Sequence, residues 1–159
     1  MIDINKRQLV ALAKEQIEKS LSLLKSAVEK RKKDFKEAPS ARDTWSDTTR
    51  SQTEGLISGL NEEIKRKEKI LSLFNGLDME PSSVVKPGSL VEVQDGDEID
   101  IYLLVPSGGN TVDINDKIKV QLVSMGSVIA SALYGHKVGD KVEVKLPVAV
   151  KKMEILSLS

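Results

Sequence analysis

ISGLNEEIKRKEKILSLF (residues 57–74) and, earlier, IEKSLSLLKSAVEKRKKDF (residues 17–35) share one rhythm. Apolar side chains recur in alternating steps of three and four. One stretch has Ile57, Leu60, Ile64, Leu71 and Phe74; the other has Ile17, Leu21, Leu24, Val28 and Phe35. Lys67 and Arg31 are the polar intrusions. A seam kept over about three heptads in each stretch predicts two long helices that pair with each other. Between them, Ala38-Pro39-Ser40-Ala41 cannot continue a helix, because Pro39 has no N–H to give and crowds the preceding turn. The chain therefore folds back into an antiparallel coiled-coil hairpin, with Ile17 opposite Leu71, Leu24 opposite Ile64 and Val28 opposite Leu60. Arg31 then faces Ile57 and Lys67 faces Leu21, each able to lay its methylene stem on the seam. Arms of roughly 27 residues would reach about 40 Å. The tip is Asp43-Thr44-Trp45-Ser46-Asp47.

Composition narrows the class. Hydrophobic residues make up 40% of the 159, and no apolar run approaches the length of a membrane span. Met1 to Lys6 has no apolar core of a signal peptide. There is no Cys, which removes disulfides and thiolate chemistry. A cytoplasmic protein with no membrane contact is expected. Net charge is zero but uneven: residues 1–76 carry 16 Lys+Arg against 12 Asp+Glu, and residues 77–159 carry 8 against 12. The basic half is too mild to predict binding of free DNA.

The second arm has competing N-caps in Ser46, Asp47 and Ser51, the last opening a capping box with Glu54. Asn75-Gly76 should end it, with Gly76 in the left-handed region. Pro81-Ser82-Ser83 and Pro87-Gly88 read as a linker. From Ser89 the period changes to two. Leu90–Val93 and Ile99–Val105 flank the turn signal Asp95-Gly96. Pro106–Asn110 is a loop, Ile118–Val123 a third strand, and Lys141–Leu146 and Met153–Leu158 the last two. Between them Ser127 caps a short helix that Gly135 stops. The expectation is an α+β protein: a hairpin over residues 1–76 with its tip near 43–47, a linker over 77–88, and a small antiparallel sheet with one short helix over 89–159.

Few residues point to chemistry. His136 is the single histidine and cannot form a histidine-pair metal site. Asp95, Asp97, Glu98 and Asp100 lack the spacing of a calcium loop and read as a solvated hairpin. Gly108-Gly109 precedes no helix, so it is not a phosphate loop. Lys30, Lys32, Lys33 and Lys36 form a solvated helix face or a track for nucleic-acid phosphates. The tip stands out. Trp45 is the single tryptophan, placed for contact or for folding back onto its own stalk. Asp43 and Asp47 beside it are helix caps or a carboxylate pair that carries a hard cation such as Mg²⁺. Two carboxylates hold Mg²⁺ weakly, so a partner would supply the remaining ligands.

The segment Ser127-Val128-Ile129-Ala130-Ser131-Ala132-Leu133-Tyr134-Gly135-His136-Lys137-Val138-Gly139-Asp140 resembles the Ser-Pro-Ile-Gly-x-Ala-Leu-x-Gly-x-x-x-Gly-Asp pattern of the bacterial GreA/GreB transcript-cleavage factors. Val128 and Ala130 depart from it. Gly88-Ser89-Leu90-Val91 and Glu154-Ile155-Leu156 are also similar to the family. The resemblance implies an FKBP-like C-terminal domain that docks on RNA polymerase, here through Ser127, Ser131, Tyr134, Gly135, His136 and Lys137. It implies a stalk in the polymerase's secondary channel, near the 3′ end of backtracked RNA, and tip acids that share a Mg²⁺ with the polymerase. The factor itself would be a monomer with no cofactor of its own. At the tip, Ser46-Asp47 falls on the family's Ser-Glu and Trp45 on its Leu. Thr44 then falls on its catalytic Asp, and Asp43 lies one residue early. Two readings stay open: stimulation of RNA cleavage through Asp47 and Asp43, or regulation of the polymerase without cleavage. A proline isomerase is a third, and Tyr102 and Tyr134 alone give it a poor aromatic wall.

Overall fold

A computed structural model describes residues 4–37 and 47–159, and side chains at 4–33 and 51–159. Asp43, Trp45 and the rest of the expected tip up to Ser46 lie outside the described residues. The chain divides into two compact units, Lys14–Ser72 and Met1–Ala13 with Leu73–Ser159.

The helical unit is built from α1 (Lys6–Glu37) and α2 (Asp47–Asn75). Its burial follows the heptads. Leu21 and Val28 are buried, and Ile17, Leu24, Ile57, Leu60, Ile64 and Leu71 are half-covered. Lys67 is half-covered too, consistent with a stem lying on apolar surface, whereas Arg31 is exposed. Lys25 pairs with Glu68 at 3.2 Å, and Leu21 and Leu71 line one surface depression.

The sheet unit begins with the start of α1, where the Asn5 side chain accepts the N–H of Gln8 at 3.1 Å. At its other end α2 stops at Asn75, but Gly76 is not among the glycines with positive φ. The last turn tightens instead, with Leu77 donating to the carbonyl of Phe74. Six strands follow: β1 (Leu90–Asp95), β2 (Glu98–Val105), β3 (Thr111–Asn115), β4 (Ile118–Ser124), β5 (Lys141–Lys145) and β6 (Val150–Leu158), with α3 (Val128–Leu133) between β4 and β5. Their order is β3-β4-β2-β1-β6-β5. The β1–β2 turn has Gly96 at φ +63 in its first central position, as a type II′ turn requires.

The sheet is mixed, not antiparallel as expected, because β2 and β4 run parallel. The reason is β3, an additional strand between the Pro106–Asn110 loop and the expected strand at Ile118–Val123. Pro106–Asn110 carries the chain past the slot beside β2 to the sheet edge; β3 returns along that edge, and β4 then fills the slot in the direction of β2. Gly108 makes this path possible. Any Cβ there would sit 2.4 Å from the carbonyl oxygen of Leu122. Gly109 donates to that carbonyl at 2.7 Å, and Gly108 to Ser124 Oγ at 2.8 Å.

Ile101–Val105 of β2 are all buried, so both faces of the central strand are covered. On one face Val91, Val93, Tyr102, Leu104, Val142, Val144, Met153 and Ile155 pack with Ala130 and Leu133 of α3. Leu90, Ile101, Leu103 and Leu122 point to the other face by register. There Ile4, Leu90 and Ile101 line one depression, and Leu9, Val112 and Ile114 line another. The stretch read as a linker is part of this unit: Val85 is only 1% exposed and joins the core cluster.

Candidate functional site around the short helix

α3 is short because its ends are both specified. Ser127 has extended backbone and its Oγ accepts the N–H of Ala130 at 3.2 Å, the expected N-cap. At the other end Tyr134 donates to Ala130 O, and Gly135 takes φ +81, which a side chain would resist. Ala130 and Leu133 face the core with no exposure. The opposite face is open. Ser131 is exposed, and Val128, Tyr134 and Val138 are 54%, 57% and 55% exposed. A large aromatic left outside a core that has room for Tyr102 is not a packing residue.

The loop after α3 is exposed but firmly tied. Gly135 donates to Val85 O at 2.9 Å, and Val85 donates to His136 O at 2.8 Å. His136 N–H reaches Leu133 O at 3.1 Å. Lys137-Val138-Gly139-Asp140 then makes a turn closed by Asp140 N–H to Lys137 O, with Gly139 at φ +91. The Asp140 carboxylate returns to the loop. Its Oδ2 lies 3.0 Å from the Lys137 N–H and 3.1 Å from His136 Nδ1. These two donors, the Lys137 amide first, hold the carboxyl below its ordinary range. Ser127, Ser131, Tyr134, Gly135, His136 and Lys137 thus fall on one continuous helix–loop.

Val85 and Asp140 were not among the expected site residues. The Val-Gly-Asp turn signal could have identified Asp140. Nothing local in the sequence announces Val85, since its bridge to residues 135 and 136 spans some fifty positions.

The other expected site residues belong to other elements of the chain. Lys30, Lys32 and Lys33 are exposed on α1; the side chain of Lys36 lies outside the described residues. Asp47 opens α2, but its side chain is also outside them. Among the described residues no group of three or more His, Asp or Glu could hold a metal ion. No helix among them is long and apolar enough to cross a membrane. The acidic β1–β2 hairpin is only partly solvated: Asp97 and Glu98 are exposed, whereas Asp95 and Asp100 are half-buried against Lys151.

Residues 80–159 match the family described as transcription elongation factor GreA/GreB, C-terminal domain. The chain is 36% identical over 111 residues to transcription elongation factor GreA of Agrobacterium fabrum, covering 68% of this chain and 63% of that one. It is 33% identical over 108 residues to the GreA of Polaromonas naphthalenivorans, covering 66% and 64%. The match thus spans a little under two thirds of these relatives' length. A solved structure of GreA factor homolog 1 (Gfh1) from Thermus thermophilus is 19% identical, covers 92% of this chain and 94% of that one, and superposes with a TM-score of 0.38. On the match over residues 80–159 and these sequence identities, the chain belongs to the GreA/GreB family of transcription elongation factors.

Proposed function

We propose that this protein is a cytoplasmic, monomeric transcription elongation factor that docks on bacterial RNA polymerase through the helix–loop from Ser127 to Lys137. The observation that carries the reading is the family match over residues 80–159, which contains this helix–loop whole. Its open side chains support the role: Tyr134 and Val138 offer apolar surface, and Lys137 offers charge. In this reading the domain of residues 89–159 is FKBP-like, residues 77–88 pack into it through Val85, and the helices of residues 1–76 form an antiparallel coiled-coil stalk over Lys14–Ser72. The burial of alternate heptad positions and the Lys25–Glu68 pair support the coiled coil. The stalk enters the secondary channel. Lys30, Lys32, Lys33 and Lys36 run near the RNA, and Trp45 is the contact at the tip. Asp47 and Asp43 add carboxylates to a Mg²⁺ that the polymerase holds, and backtracked RNA is cut by the polymerase's own active site.

A second reading, regulation of the polymerase without cleavage, is favoured by Thr44, which stands where the family has its catalytic Asp. Gel filtration with core bacterial RNA polymerase tests the docking both readings share. Co-elution at micromolar concentration is expected. If the two proteins elute apart, both readings fail.

A further inference from the structure

The helix–loop is exposed, yet its shape is set by contacts that do nothing for its outer surface. Two backbone hydrogen bonds to Val85, of 2.9 and 2.8 Å, fix Gly135 and His136 from one side. One carboxylate oxygen of Asp140 fixes His136 and Lys137 from the other, at 3.1 and 3.0 Å. We infer that Asp140 is a positioning residue for docking: it locks the loop from Gly135 to Val138 in its binding shape before a partner arrives. The inference rests on the docking reading above.

Chemistry supports it at two points. A carboxylate at this distance accepts from Nδ1, so a neutral His136 carries its proton on Nδ1 and leaves Nε2 unprotonated, an acceptor. Asp140 thereby sets what the loop offers a partner, not only where it sits. Second, a loop that is already ordered loses less conformational freedom on binding. The Asp140 contacts are charge-assisted, the stronger class of hydrogen bond, which suits a restraint on an exposed segment. In this scheme Asp140 acts on the loop through Oδ2 and is assigned no partner contact of its own.

The test uses the full chain, isotope-labelled, as wild type, Asp140→Asn and Asp140→Ala. The single histidine makes its ring nitrogen signals unambiguous. Three quantities are compared: amide exchange at Lys137, the His136 tautomer, and affinity for core bacterial RNA polymerase. In the Ala variant, exchange at Lys137 and loss of affinity should each reach about tenfold, the scale of one lost charge-assisted contact and the order it imposes. The His136 proton should move toward Nε2. The Asn variant keeps an acceptor for Lys137 and should fall between, and it decides the matter if the Ala variant does not fold. Wild type that binds, with both variants binding equally well, overturns the positioning role while leaving docking intact. An unchanged tautomer and unchanged exchange overturn it as well. Wild type that does not bind removes the docking reading and the inference with it.

Discussion

Lys151 reaches Asp100 Oδ2 at 3.0 Å, the Tyr102 hydroxyl at 3.2 Å and Asp95 Oδ2 at 3.5 Å. It thereby pairs with two carboxylates, one from each strand flanking the β1–β2 turn. Burial works to lower its pKa, but the hydroxyl of Tyr102 and the carboxylate of Asp100 raise it by more, and the ammonium is held above its ordinary range. Lys151→Met should cost about 2 kcal/mol at neutral pH, the scale of charged hydrogen bonds lost from a site mostly out of water. The sign of the pH dependence follows. A raised pKa gives stability that is complete below the unfolded value, about 10.4, and is lost as pH rises through the folded one. Urea unfolding of wild type and variant at neutral pH and above 10 should show a constant difference that shrinks only at the alkaline end. Equal stability at neutral pH would show the network to be worth nothing. The same residues mark a limit of reading sequence. Asp95, Asp97, Glu98 and Asp100 look like a solvated turn because Lys151 stands 51 positions from Asp100; only the β1–β6 pairing brings it there.

Among the elements, α3 separates packing from surface within two adjacent residues. Leu133 has no exposure and Tyr134 is 57% exposed. Leu133→Ala should cost about 2–5 kcal/mol, because the sheet cannot close over the space left behind. Tyr134→Glu should change stability by less than about 0.5 kcal/mol, as exposed positions generally do, and should weaken polymerase binding by about tenfold, the order of one lost aromatic anchor. Thermal melts read the first effect and a binding titration the second. An unfolded Tyr134→Glu would return that side chain to the core, and a folded one with full affinity would remove it from the interface. Other elements were legible to different degrees. The helices, α3 with its Ser127 cap, and β1, β2, β4, β5 and β6 follow from period and turn chemistry. β3 escaped because Thr111, Asp113, Ile114 and Asn115 are exposed and only Val112 is half-buried. Its sequence, Thr111-Val112-Asp113-Ile114-Asn115, does alternate polar and apolar, but with two apolar residues the period-two signal is too short to stand out from the loop beside it. Missing it cost the parallel β2–β4 pair.

For the whole molecule, the question is whether a tip that departs from its family still supports RNA cleavage. Docking and chemistry are separable, because they use residues far apart in the chain. The family match begins at residue 80, so it bears on docking and leaves the tip to be judged by its own residues. In the tip correspondence proposed above, Asp47 takes the place of a family acid and Asp43 lies one position from another. Carboxylates four residues apart come close if both are helical, repel each other without a cation, and are relieved by Mg²⁺. Positioning tolerances for such chemistry are near an ångström, so the shorter Asp47 and the displaced Asp43 decide the outcome. Asp47→Ala is expected to abolish release of 3′ RNA fragments from a backtracked complex, with polymerase affinity within about threefold of wild type, less than one ordinary hydrogen bond. Asp43→Ala should slow release less. Both variants are read against wild type at millimolar Mg²⁺, with fragment release and binding measured on the same samples. Wild-type protein that binds the backtracked complex and releases no fragment would sink the cleavage mechanism but not the docking. The protein would then act by occupying the channel, and a Trp45→Ala variant with reduced polymerase regulation would locate the contact at the tip.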